Sequence, residues 1–398
     1  MFNITLLFVL SPYTAVLVCF FAAYKLYKHK ENIHKSIWNI GLLILFLWSF
    51  LVGLINESKM SIMVSFLFLL YFCVSVYIEN NWSTEEKVYE IAHYLLMFSV
   101  FSGIIGIIEK LVFEFYSMPI WRLFLGLPAT SSSAHRIYST FGNPNIAGDW
   151  FSIMIVTALF YEGRTKDKRK KVFYYSSVFL FLINLFFTGS RGAFAAMIVG
   201  LAVLFIFKCS KRNRMIFIGI IILVSIIGFM PDKLPNISEE IVGHQIDRSF
   251  TLRERIWKGS LDMVKEKPIT GWGLMGTIEH GKEFINYSGT VHHSHNIWLA
   301  ILTSLGIIGL IIYLLMRLQL YKDMIILLRK DSNSCIQLLI AIQAIIIIHG
   351  IVDFTIIVPQ IGALFIGTSS MITAFAREWI TVNRDTETVT YFNVNNKA

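Results

Sequence analysis

The feature that most constrains this chain is a succession of apolar runs, each long enough to cross a bilayer. A membrane helix needs about 20 consecutive, mostly apolar residues. About eleven such runs lie near 4–24, 37–56, 61–78, 91–113, 144–161, 172–188, 191–207, 214–230, 296–316, 336–357 and 361–377. Lipid offers backbone amides no partner, so the spanning structures open to a chain are helices and closed barrels. Runs of this length therefore predict an all-α polytopic membrane protein of about 11 transmembrane helices (10–12). The first run has no basic segment before it, Lys25 being the first lysine, so it is expected to remain as a helix rather than be cleaved. Residues 1–398 read as a single integral membrane domain, with one large loop at 231–295 and a polar, loose tail at 379–398.

Composition agrees, since 55% of residues are hydrophobic and 15% charged. Soluble domains are about a quarter charged, and a disordered chain would hold far less apolar residue. The net charge of +9 would suggest nucleic acid were the cations not sorted by side. With the N-terminus outside, 22 of the 35 Lys and Arg fall on cytoplasmic segments, among them Lys25, Lys168, Arg169 and Arg317. Five fall on short external segments (Lys59, Lys110, Arg122, Arg136 and Arg191) and eight in the long loop. That bias predicts an external N-terminus and a cytoplasmic C-terminus, and accounts for the charge with no nucleic-acid partner. None of the four cysteines, Cys19, Cys73, Cys209 and Cys335, falls on an external segment, so no disulfide or cysteine metal site is expected.

The unusual local sequence lies on the external side. Arg136-Ile-Tyr-Ser-Thr-Phe-Gly-Asn-Pro-Asn145 ends in a helix start, with Asn143 as N-cap and Pro144 at the first helical position. Bare amides at such an end suit a phosphate or sugar hydroxyl, so Asn143 and Asn145 are candidate substrate ligands. Thr188-Gly-Ser-Arg-Gly192 is a tight turn carrying one guanidinium, a fork for a diphosphate; interfacial snorkelling is the plainer alternative. In the long loop, Thr251-Leu-Arg-Glu254 fits a capping box, which would put Arg253 and Arg255 in a first helical turn against the helix dipole unless an anion binds there. Leu252, Ile256, Leu261 and Val264 would form that helix's apolar face and Pro268 would end it. Trp257 and Trp272 offer flat surfaces that would either stack on sugars or seat the loop on the bilayer. Val291-His-His-Ser-His-Asn296 enters the ninth run, and His295 there is suited to accept a hydroxyl proton, with Asn296 beside it. Zinc on His292, His293 and His295 is not expected, because no acidic or cysteine partner is near in sequence. His349 and Asp353, four apart, would share a helix face, bonded to each other or lining the same cavity.

These motifs, in order and ending in His-Asn-x9-Gly-x-x-Gly, resemble the O-antigen ligase and polymerase family of bacterial membrane glycosyltransferases over roughly 130–310. The resemblance implies a GT-C-like helical bundle whose external loop caps a lateral cavity in the cell membrane. It also implies transfer of glycan from undecaprenyl diphosphate to an acceptor hydroxyl, with neither metal nor other cofactor. By position, Arg191 with Arg253 or Arg255, and Arg136, would hold the diphosphate, and His295 would face the acceptor, a growing glycan or lipid A core. Repeat-unit polymerisation is slightly favoured, with ligation of finished glycan the alternative. A flippase would want charge deep in the membrane, for which Glu109 is the clearest candidate. A cell-wall polymerase would want an acidic loop residue, with Asp247 and Asp262 available. A non-enzymatic receptor is a further alternative.

Overall fold

The computed structural model describes residues 2–113, 136–206, 244–287, 289, 291–330 and 335–395. The expected span at 214–230, Cys209 and the first part of the long loop lie outside the described residues. Among the described residues every regular element is helical. The helices are α1 (Phe2–Leu10), α2 (Pro12–His29), α3 (Ile37–Ile55), α4 (Lys59–Asn81), α5 (Glu85–Phe113), α6 (Pro144–Glu162), α7 (Lys168–Thr188), α8 (Arg191–Ile206), α9 (His244–Glu266), α10 (Gly276–Phe284), α11 (Ile297–Lys330), α12 (Ile336–His349) and α13 (Pro359–Asn395), with a 3₁₀ turn at Thr355–Ile357. Among the described residues five helices are long and apolar enough to cross a bilayer: Ile37–Ile55, Lys59–Asn81, Glu85–Leu111, Lys168–Thr188 and Ile297–Arg329. Arg191–Ile206 and Ile336–His349 are shorter apolar helices. The chain is a polytopic membrane protein.

Several expected boundaries move, each for a local reason. The first run is two helices rather than one, because Ser11 is extended (φ −165°, ψ 153°) and caps α2 ahead of Pro12. The tenth run stops at His349; a turn and the 3₁₀ element replace its last part, so His349 and Asp353 share no helix face. Arg317 is not in a loop but buried within α11, donating to Gln343 Oε1 at 2.7 Å. The backbone of the expected loose tail continues α13 to Asn395. In the long loop, α9 is already helical at His244, so Thr251 caps nothing and Arg253 and Arg255 are not in a first turn. Its buried stripe is Ile256, Ser260 and Met263, whereas Leu261 faces outward. The helix does stop before Pro268, as expected.

The loop is fastened to the bundle where α11 breaks. Gly306 has φ 64°, outside the helical region. Around it, Thr303 and Ser304 carbonyls accept from the Trp272 and Gly273 amides at 3.0 and 2.8 Å, and the Ile307 amide donates to Pro268 O at 2.9 Å. Trp48 Nε1 from α3 donates to Leu305 O at 2.8 Å. A Cβ at position 306 would lie 2.1 Å from Ile269 O, so the first glycine of Gly-x-x-Gly lets the loop backbone dock into an opened helix turn.

Candidate functional site

The site forms where one end of α6, α7, α8, α11 and α12 converges. Arg136 enters from the segment after α5, which buried Glu109 anchors: its Oε2 accepts from the Tyr138 and Ser139 amides at 3.0 and 2.7 Å. Glu109 therefore has a structural task. Buried charge is more plentiful than the sequence suggested, but these groups are committed as well. Glu79 accepts from Arg377 Nη1 at 2.6 Å, and Asp323 accepts from Gln319 at 2.9 Å.

Asn143 caps α6 as expected, its Oδ1 accepting from the Asn145 amide at 2.8 Å. Gly189 closes α7, and α8 starts at Arg191. A Cβ on Gly192 would lie 2.5 Å from Val352 Cγ2 and 3.0 Å from His349 Cδ2. The second glycine of Thr-Gly-Ser-Arg-Gly thus lets the start of α8 press against the turn after α12. That turn carries Asp353. Asn296 ties α11 to the same turn, its Nδ2 donating to Ile351 O and its Oδ1 accepting from the Leu299 amide, both at 2.9 Å.

At the centre is a polar chain. His295 sits in the left-handed region (φ 47°), and its Nδ1 lies 2.9 Å from Asp353 Oδ1. Asp353 Oδ1 also accepts from the Phe354 amide at 2.8 Å, and Oδ2 from Asn145 Nδ2 at 2.5 Å. Asn145 Oδ1 in turn accepts from Arg136 Nη2 at 2.7 Å, while Arg136 Nε donates to Thr188 O at 2.5 Å. A carboxylate accepts only, so the tautomer of His295 that satisfies it carries the proton on Nδ1 and leaves Nε2 as a base. His293 lies alongside, its Nε2 3.9 Å from Asp353 Oδ1. Burial, and after it His295, push the His293 ring pKa down to about 4, against the pull of Asp353.

Cations surround the other end of the chain. Burial pushes the Arg136 guanidinium below its usual value; Tyr138 opposes this, Arg253 and Arg191 add repulsion and Asp353 offsets it. Arg191 and Arg253 also repel each other. Arg191 is exposed and has no hydrogen-bond or ion-pair partner among the described residues. Like charges are thus brought together across α8, α9 and the Arg136 segment, an arrangement suited to an anion. Arg255 is exposed.

The remaining expected ligands are placed differently. Trp272 is buried inside the loop, its Nε1 donating to Met263 O at 2.8 Å and its ring under Lys267 Nζ at 3.9 Å, so it offers sugars no face. Asn145 and Asn296 are spent on protein partners. Trp257 is half-buried. Asp262 is paired with Lys265 at the surface, and the Asp247 side chain lies outside the described residues. Sequence reasoning named Asp353 but set it beside His349, and missed its pairing with His295, 58 residues away along the chain. It also missed Asp149, whose Oδ1 is 3.3 Å from His349 Nδ1 and whose Oδ2 accepts from Thr355 at 2.7 Å. The pairing of His349 is thus with Asp149, not Asp353. The acidic partner whose absence argued against metal is present in space: His293, His295 and Asp353 offer ligand atoms within 4.8 Å of one another.

Beside the site, an apolar cavity lies between α3, α4, α11 and α13. Trp38, Phe68, Leu305, Ile356 and Phe354 are among the residues lining it, the last adjoining Asp353 in sequence.

Residues 176–314 match the family model described as O-antigen ligase. The segment holds Arg191, Arg253, His293 and His295 and ends beyond the Gly306 break; Arg136, Asn145 and Asp353 lie outside it. No curated protein matches the chain.

Proposed function

From this O-antigen ligase-family segment in a polytopic membrane protein, we infer a glycosyltransferase of surface-polysaccharide synthesis, working at the external face of the cell membrane. Its donor is an oligosaccharide on undecaprenyl diphosphate. The observation that carries the reading is the polar chain from His295 through Asp353 and Asn145 to Arg136, which joins a base to a cation cluster. Chemistry of this type needs both: a group to take the acceptor's proton, and positive charge where the leaving diphosphate gathers negative charge.

In this mechanism Arg191, Arg253 and Arg136 hold the diphosphate. Asp353 fixes the imidazole, and His295 Nε2 takes the proton of the acceptor hydroxyl. The oxygen attacks the anomeric carbon from the face opposite the diphosphate. The bond from that carbon to the phosphate oxygen breaks, its electron pair leaves with the diphosphate, and the anomeric centre inverts. The apolar cavity beside Phe354 suits the lipid tail. Arginines supply the charge a divalent ion would otherwise bring, so turnover is metal-independent and continues in excess EDTA.

Repeat-unit polymerisation is the reading adopted, with the acceptor a second glycan. Deleting the gene and resolving the surface polysaccharide on a gel tests it. Single-repeat products are expected; full-length glycan stranded on lipid would replace polymerase by ligase. Unchanged polysaccharide would refute both.

A further inference from the structure

The histidine nearest the proposed base has no task in that mechanism. His293 is 17% exposed, yet its Nε2 faces the carboxylate that orients His295. The rings of His293 and His295 have centroids 4.4 Å apart. Two imidazole nitrogens thus converge on Asp353 Oδ1, at 3.9 and 2.9 Å. Ligands of a tetrahedral zinc ion sit about 3.3 Å from one another, given metal–ligand bonds near 2 Å. The three ligand atoms lie within 4.8 Å of one another, so rotation of the two imidazoles toward the carboxylate would close them to that spacing and place all three on one ion. His295 is 29% exposed, leaving a way in and room for water as a fourth ligand. Two imidazoles and a carboxylate are a donor set that suits zinc.

We propose that His293, His295 and Asp353 form a zinc site whose occupation switches transfer off. The proposal rests on His295 acting as the base. Zn²⁺ would accept a lone pair each from His295 Nδ1, His293 Nε2 and an Asp353 oxygen. The proton His295 Nδ1 had pointed at the carboxylate then leaves to solvent, and Nε2 gains one in its place. The ring stays neutral, but the nitrogen facing the acceptor becomes a donor and takes no proton. In His293 the ring proton likewise moves to Nδ1. That opens the 3.2 Å bond Nδ1 accepts from the His295 amide and loosens the left-handed turn. Metal is thus an inhibitor at this site rather than a cofactor.

His293→Asn separates the two roles. The asparagine oxygen can accept the amide two residues on, as Nδ1 does now, preserving the turn, while the Nε2 ligand is lost. His293→Gln serves as a second variant if the first folds poorly. Detergent-purified, EDTA-stripped protein would be titrated with ZnCl₂ by calorimetry without donor, and assayed for transfer with lipid-diphosphate donor. Wild type should bind one zinc and lose transfer, with EDTA restoring it. His293→Asn should transfer like wild type without zinc, bind zinc at least about tenfold more weakly, and need correspondingly more for inhibition. Equal zinc affinity in wild type and variant would overturn the site, as would an absence of binding in wild type. Stripped wild type that works only after zinc is added would overturn the inhibitory role. If only the base assignment is wrong, calorimetry still distinguishes the variants while bound zinc leaves transfer untouched.

Discussion

Asp353→Asn is the sharpest test of the proposed mechanism, because asparagine keeps the shape and removes one acceptor. In wild type all the hydrogen bonds at the Asp353 carboxylate run inward: from His295 Nδ1, the Phe354 amide and Asn145 Nδ2. An amide brings one oxygen and one donor. With its oxygen at the Oδ1 position, its NH₂ meets the Asn145 NH₂; flipping Asn145 moves that clash onto Arg136 Nη2, which donates to Asn145 Oδ1 at 2.7 Å. With the oxygen at Oδ2 instead, the NH₂ faces the Phe354 amide and His295 Nδ1. The imidazole must then carry its proton on Nε2, where it cannot act as base. Each arrangement leaves a donor without a partner, a destabilisation of about 1–3 kcal/mol. The second arrangement loses the base, and in either one the imidazolium formed during transfer loses its carboxylate, so the single-turnover transfer rate should fall by about 10²–10⁴-fold. Donor affinity should change far less, since Arg191 and Arg253 do not bond to Asp353. Detergent-purified variant and wild type would be compared for lipid-diphosphate binding and single-turnover transfer. Wild-type transfer by a folded Asp353→Asn protein would refute the carboxylate's role.

Arg191→Ala should weaken donor binding at least about tenfold, or 1.4 kcal/mol, and Arg191→Lys by somewhat less because charge remains without the fork; equilibrium binding of lipid-diphosphate reads both, and normal affinity in Arg191→Ala would move the anion site elsewhere. Arg253→Ala should behave like Arg191→Ala, whereas Arg255→Ala should bind donor as wild type does; equal losses would return Arg255 to the site. For topology, Lys282→Cys in a cysteine-free background should react with an impermeant thiol reagent on intact cells and Lys168→Cys should not; the reverse pattern would put the proposed chemistry on the cytoplasmic side.

What the sequence made legible was set by the range of the interaction concerned. Apolar length speaks for itself in lipid, so the runs at 37–56, 61–78 and 172–188 return as helices close to those limits. The Asn143-Pro144 start is equally local, since an N-cap bonds two residues away. Glycine roles were only half visible. Thr-Gly-Ser-Arg-Gly announced a turn, but the need for Gly192 arises from Val352, 160 positions on. The capping-box reading of Thr251 failed because the four-residue pattern is also compatible with a helix interior, and α9 was already under way at His244. Trp272 was misplaced because an indole next to glycines suits exposed stacking and a buried hinge equally well; only the Met263 carbonyl and Lys267 decide.

The acid was hidden for a more instructive reason. A helical reading of 336–357 places Asp353 one turn beyond His349, which makes the two natural partners. The helix ends at His349, and the three residues that follow turn the chain. The Gly350 carbonyl is left to accept from the Ile297 amide at 2.7 Å, at the start of α11. That bond, with Asn296 on Ile351, brings the His295 and Asp353 segments side by side before either side chain is considered. His349 is released to face Asp149, and Asp353 to receive donors from three directions. The failed helix thus creates the dyad. A substitution that extended α12 would be expected to disrupt it with every proposed catalytic side chain still in place.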